Sequence, residues 1–133
     1  MSRVFADTFY YLALLNPNDD AQQKAIDFTT RFVGTMVTTD WVLTELADGL
    51  CSSATRRLAV QFIKNLRDDR PIRIIPASRK ILDRGLSLYR KRSDKAWSLT
   101  DCISFVVMQD CRIVDALTGD RHLEQAGFKA ILK

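Results

Sequence analysis

The sequence predicts an α/β domain with a parallel sheet covered by helices on both faces. Short apolar runs that read as strands alternate with longer segments of helical periodicity, which is the pattern of a parallel sheet with helical crossovers. One helical segment, from Leu99 to about Cys111, is apolar on nearly every side, and a helix of that kind belongs in the core. At 133 residues the chain makes one domain, residues 1–133, large enough to bury its own core.

Taken in order, Val4-Phe5-Ala6 is an apolar run ended by Asp7 and reads as a buried first strand. Thr8 to Leu15 reads as helix, with Phe9, Leu12 and Ala13 on one side, and Asn16-Pro17-Asn18-Asp19 is a turn cluster. Asp20 to Val33 carries Ala21, Ala25, Ile26, Phe28, Phe32 and Val33 at helical spacing, and Gly34 ends that helix. Met36 to Thr39 is the second strand. Asp40 is the candidate N-cap of a helix from Trp41 to about Leu50, with Trp41, Val42, Leu46 and Leu50 inward and Glu45 one turn from the strand end. Another helix runs from Ser53 to Leu66, and Asp68-Asp69-Arg70-Pro71 makes a turn. Ile72 to Ile75 is the third strand, stopped by Pro76. Ser78 to Arg90 reads as helix with Ile81, Leu82, Gly85, Leu86 and Tyr89 inward, and Lys91 to Lys95 is a charged loop. Ser98 then caps the core helix, and Asp101, three residues on, completes a capping box. Ile113 to Thr118 holds the fourth strand, Gly119-Asp120 a turn, Arg121 to Gln125 a short helix ended by Gly127, and Phe128 to Leu132 a fifth strand. There is no repeat, low-complexity tract or linker.

Composition narrows the function. Hydrophobic residues make up 47% and charged residues 27%, the balance of a soluble globular protein. The apolar runs are too short to span a membrane and the N-terminus lacks a signal-peptide pattern, so a cytoplasmic location is expected. Cys51, Cys102 and Cys111 are odd in number and form no C-x-x-C, so they read as reduced thiols. His122 is the only histidine, which excludes a His-rich metal site and leaves little scope for nucleophile–histidine chemistry. The net charge of +4 hides an asymmetry: residues 51–95 hold 13 Lys and Arg against four Asp, a net of +9, and the remainder holds 7 against 12 acids, a net of −5. A basic middle of that kind either suits a polyanion or is a solvated helical surface.

The chemistry lies in the carboxylates. In an open parallel sheet, ligands bind beyond the carboxyl ends of the strands. Asp7 ends the first strand, Glu45 lies on the helix after the second, Asp101 caps the helix leading towards the fourth, and Asp120 follows the fourth directly. Each has an ordinary reading of its own: strand end, solvated helix face, helix cap, turn residue. Together they fall on one side of the sheet, where carboxylates repel one another unless a cation sits between them. Oxygen ligands without His or Cys favour Mg²⁺ or Mn²⁺, an ion that acidifies water and offsets charge on a phosphoryl group. An acidic pocket on an otherwise more basic chain suits a metal-dependent nuclease. A phosphoacceptor signalling domain would place an Asp after the third strand, where Ile74-Ile75-Pro76-Ala77 offers none. A haloacid-dehalogenase-type phosphatase would want an Asp two residues after the first, and Phe9 stands there; no Walker-type glycine-rich phosphate loop is present.

Nearly the whole chain resembles the PIN-domain ribonucleases, in particular the VapC-type toxins of type II toxin–antitoxin pairs. The resemblance rests on Asp94-Lys95-Ala96-Trp97-Ser98-Leu99-Thr100-Asp101-Cys102, on Ala116-Leu117-Thr118-Gly119-Asp120-Arg121-His122 and on Gln125-Ala126-Gly127-Phe128. It implies a PIN-like three-layer α/β/α fold with strand order 3-2-1-4-5, a Mg²⁺ (or Mn²⁺) site, and endonucleolytic cleavage of RNA to 5′-phosphate and 3′-hydroxyl ends. It also implies a cognate antitoxin whose tail blocks the pocket, and a homodimer. Matched residue by residue, Asp7, Glu45, Asp101 and Asp120 look like the four acidic ligands, and Thr118 matches a common hydroxyl residue before the last acid. Thr8 and Thr118 would support the backbone or a water on the metal. Arg121 and His122 are candidates for the substrate rim, with a surface ion pair and a structural role as their alternatives; Arg112 has the same two readings as Arg121. Asp48, Asp94 and Asp115 read as surface or supporting acids. Leu123 departs from the family pattern, where Phe is usual. The alternative function is a catalytically inactive PIN-fold RNA-binding module.

Overall fold

In the computed structural model, which describes residues 2–133, five strands form one all-parallel sheet in the order β3-β2-β1-β4-β5. The elements follow the chain as β1 (Ser2–Ala6), α1 (Thr8–Leu15), α2 (Gln22–Arg31), β2 (Gly34–Thr39), α3 (Asp40–Gly49), α4 (Arg56–Asp68), β3 (Ile72–Ile75), α5 (Arg79–Lys91), α6 (Leu99–Asp110), β4 (Asp115–Leu117), α7 (Arg121–Gln125) and β5 (Lys129–Ala130). Consecutive residues Val4, Phe5 and Ala6 are all buried, as are Met36 to Thr39. Burial on both faces of a strand is what a parallel sheet between two helical layers demands. The predicted α/β fold and strand order are therefore those observed.

The capping box predicted at the start of α6 is present. The Ser98 Oγ accepts from the Asp101 N–H at 3.0 Å, and Asp101 Oδ2 accepts from the Ser98 N–H at 3.2 Å. Seven consecutive residues of α6, Cys102 to Met108, are buried. The sequence motif around it holds α6 and α7 together. Trp97 packs edge-on against Phe105, with centroids 5.0 Å apart, and its Nε1 donates to Gln125 Oε1 at 3.0 Å. Phe105 in turn meets Phe128 at 5.6 Å. Leu123, where the family pattern favours Phe, is buried and fills its site as an aliphatic residue.

Several boundaries move. The N-cap of α3 is Thr39, not Asp40: Thr39 Oγ1 accepts from the Val42 N–H at 3.1 Å. Thr38, Thr39 and Asp40 are all acceptable caps by residue type, and the register of β2 decides between them. Asp40 instead ties the start of α3 to the link after β3, its Oδ2 accepting from the Ala77 N–H at 2.9 Å. The second helix is shorter than the stretch from Asp20 to Val33, and α4 starts at Arg56 and runs on to Asp68, past the predicted end at Leu66. β4 and β5 shrink to three and two residues: Ile113 packs into the core ahead of β4, and beyond Ala130 the chain turns, though the Leu132 N–H still donates to the Thr118 carbonyl at 3.1 Å.

Gly34 is demanded by the sheet itself. It has φ +152°, and a Cβ built there would stand 2.2 Å from the Ser2 carbonyl oxygen of the paired strand. Gly34→Ala is expected to lower stability by about 2 kcal/mol or more, since backbone strain and the clash with β1 add. Thermal denaturation checks it; an unchanged melting temperature would contradict this reading of the strand entry.

Candidate functional site

The carboxyl end of the sheet gathers the acids. Asp7 leaves β1 and stands at the N-cap position of α1 without using its side chain as a cap. It is 7% exposed, so its carboxyl sits in protein rather than in water. Its pKa is pushed up to about 7, first by burial and then by the charges of Asp101 and Glu45; the Thr118 side chain and the Thr8 backbone N–H pull it part of the way back. Asp101 on α6 and Glu45 on α3 thus both act on Asp7, which follows β1. Beside Asp7, the buried Thr8 Oγ1 has no hydrogen-bond partner among the described residues.

Asp101 and Asp120 are joined through His122. The imidazole Nδ1 lies 3.1 Å from Asp101 Oδ2 and 3.6 Å from Asp120 Oδ2. Asp120 also caps α7, its Oδ1 accepting from the His122 N–H at 2.9 Å. The Asp120 N–H donates to Thr118 Oγ1 at 3.1 Å. Thr118, fully buried at the end of the fourth strand run, therefore touches the turn of Asp120 and acts on Asp7. The Trp97–Phe105–Phe128 packing fixes the spacing of α6 and α7, and with it that of Asp101 and Asp120.

The residues singled out in the sequence divide clearly. Glu45 and Asp101 both act on Asp7, and Thr118, Asp120 and His122 complete the group. Arg121 is exposed and makes no ion pair among the described residues. Asp94 pairs with Arg92 through two bonds of 2.9 and 3.0 Å on the surface, and Asp48 is exposed. His122 lies between two acids, in keeping with the structural alternative read from the sequence, and the i, i+2 spacing from Asp120, with Asp120 capping the helix, is the local signal for it.

A divalent cation fits the donor chemistry of this group: hard carboxylate oxygens, mutual repulsion, and a buried hydroxyl without a partner. The spacing is open. No three His, Cys, Asp or Glu side chains among the described residues stand close enough together to form a coordination shell. One oxygen of Asp101 serves the helix cap and His122 at once.

Comparison with solved structures places this geometry. The sarcin–ricin-loop-cleaving toxin VapC20 of Mycobacterium tuberculosis superposes with a TM-score of 0.87 over 95% of this chain and 96% of that one, at 24% identity. This chain has a PIN-like fold. FitAcB from Neisseria gonorrhoeae shares the PIN-like arrangement more loosely, with a TM-score of 0.67 and 15% identity over 96% of this chain and 95% of that one. No protein-family model and no curated protein matches the sequence. The PIN-like strand order puts the ends of β1 and β4 side by side, so that Asp7 and Thr118, which follow them, interact. No helix is long and apolar enough to cross a membrane among the described residues.

Proposed function

We propose that the chain is a metal-dependent endoribonuclease acting as the toxin of a toxin–antitoxin pair. The observation that carries the reading is that Asp101 and Glu45, from two other elements, both bear on the buried Asp7 carboxyl, with Asp120 linked to Asp101 through His122. Such a group holds no sheet together and repels itself without a cation. The likeness of the fold to a toxin that cleaves the sarcin–ricin loop supports RNA as the substrate class.

In this reading Asp7, Asp101 and Asp120, with Glu45, hold one or two Mg²⁺ or Mn²⁺ ions. The ion supplies positive charge at the phosphoryl group and acidifies the attacking water. Asp7 offers a buried carboxylate that water does not screen. His122 orients Asp101 and Asp120. Thr118 fixes the turn of Asp120, and Thr8 offers its free hydroxyl to the attacking water or to a phosphate oxygen. The basic helices α4 and α5 attract the polyanion. An antitoxin, a second copy of the chain and a cytoplasmic location belong to the same proposal.

The open spacing of the acids favours one other reading, a PIN-fold module that binds RNA without cutting it. Incubation of purified total RNA with the protein and Mg²⁺, Mn²⁺ or EDTA, beside Asp101→Asn, separates the two. Discrete fragments that need metal and vanish in the variant are expected. Equal RNA binding by both proteins, with no cleavage under any metal, contradicts the nuclease and supports the module.

A further inference from the structure

On the face of the sheet beneath α5 and α6 lies a second, cationic concavity of about 400 Å³. Three arginines from distant parts of the chain line it: Arg3 on β1, Arg73 on β3 and Arg112 in the turn after α6. Its apolar lining is Ile75, Ile81 and Val107. None of the three arginines has a carboxylate partner among the described residues. Asp110 also lines the concavity, but both its oxygens are taken by Arg84, at 2.5 and 2.9 Å. Three guanidinium groups gathered round one space repel one another unless an anion lies between them, and their planar forks match phosphate oxygens in pairs.

Arg112 adds a second observation. It holds φ +54°, the left-handed position that follows a helix and that Gly or Asn ordinarily occupies. The turn is fixed by hydrogen bonds from the Arg112 N–H to the Gln109 carbonyl and from the Ile113 N–H to the Met108 carbonyl. An arginine is kept where its backbone costs about 1 kcal/mol, and the turn carries it to the rim of the concavity.

We propose that Arg3, Arg73 and Arg112 form a phosphate-binding site for the backbone of a polynucleotide, lined by none of the four acids. The site rests on the proposed function only for RNA as the polyanion. Arg3 precedes Asp7 by four residues of β1, about 13 Å along the strand, and α6 spans about 18 Å from its start near Asp101 to its end near Arg112. An RNA held at both places must therefore be several nucleotides long. The concavity anchors the strand or hairpin and leaves the scissile phosphate to the acids.

The test is fluorescence anisotropy with labelled RNA in an Asp101→Asn background, across a salt series. Arg3→Gln/Arg73→Gln/Arg112→Asn is compared with Lys24→Gln/Arg31→Gln/Lys129→Gln, which removes the same charge from exposed positions on α2 and β5. Each lost phosphate contact on a single strand flattens log K against log salt by about 0.7, so the pocket variant should lose about 2 from the slope and about tenfold or more in affinity. Should the triple variant fail to fold, Arg112→Asn alone should flatten the slope by about 0.7. Equal losses in both triple variants overturn the site, as does an unchanged slope. Loss of an oligoglutamate peptide with RNA affinity unchanged assigns the concavity to an acidic protein instead. Competition by inorganic phosphate with no dependence on RNA length assigns it to free phosphate, and either result overturns the proposal. A wild-type chain that shows the predicted slope but never cleaves RNA contradicts the nuclease and leaves this site standing.

Discussion

Asp7→Asn is expected to stabilise the metal-free protein at pH 8 while destroying cleavage. The folded chain raises the Asp7 pKa from 3.8 to about 7, chiefly through burial and then through Asp101 and Glu45. Folding therefore opposes ionisation. Below about pH 3, the carboxyl is protonated in both states and carries no penalty. From there to about pH 7 the unfolded chain ionises and the folded one does not, so stability falls as pH rises, and above pH 7 the loss is complete. The full penalty is on the order of 4 kcal/mol, and Asn removes it. The melting temperature of the variant should exceed that of wild type by about 10 °C at pH 8 and approach it below about pH 3. Saturating Mg²⁺ should raise the melting temperature of wild type and leave the variant nearly unmoved, since only the wild type binds the ion in its folded state. Cleavage should fall by about 10³-fold or more, the loss of several kcal/mol of charge stabilisation. Melting curves that shift together at every pH, with and without metal, would show that Asp7 is an ordinary buried polar residue.

The second large effect lies in packing. Phe105→Ala is expected to cost about 3–5 kcal/mol in urea unfolding, because the ring is 1% exposed and its neighbours cannot collapse into the space. Trp97 and Phe128 both rest on that ring. Their loss of support frees α7 from α6 and spreads Asp120 from Asp101, so cleavage should fall as well, even at temperatures where the variant remains folded. Leu86 and Tyr89, expected inward from their spacing, are instead exposed on α5, so Leu86→Ala should change stability by no more than about 0.5 kcal/mol. A loss below about 1 kcal/mol for Phe105→Ala would remove the mechanical link between core and site.

What the sequence makes legible follows from how local the physics is. Ser98 and Asp101 form a capping box because the two partners are three residues apart, and the continuous apolar run behind them needs no tertiary information to read as a core helix. The apolar runs that become β1, β2 and β3 are equally plain. Thr39 and Asp40 are not, because adjacent residues of similar capping power are separated only by where the β2 ladder stops. β4 and β5 are overextended in the sequence reading because Ile113 and Leu132 have the apolarity of strand residues and spend it on the core. In the site, the four acids stand out by type and by position after strands. The role of His122 needs the close approach of α6 and α7, which only Trp97, Phe105, Gln125 and Phe128 in three dimensions establish. The gathering of Arg3, Arg73 and Arg112 is invisible along the chain, since 70 and 39 positions separate them in sequence and their nearness comes from the order of the strands.

The central claim is that the acids hold a divalent ion. Crystals of the protein soaked in Mn²⁺ and measured at the manganese absorption edge test it directly. The account predicts an anomalous peak bounded by Asp7, Asp101 and Asp120, lost in Asp7→Asn crystals soaked in the same way. Saturating Mn²⁺ that leaves no peak among these carboxylates, in crystals of protein that still binds RNA, would contradict it.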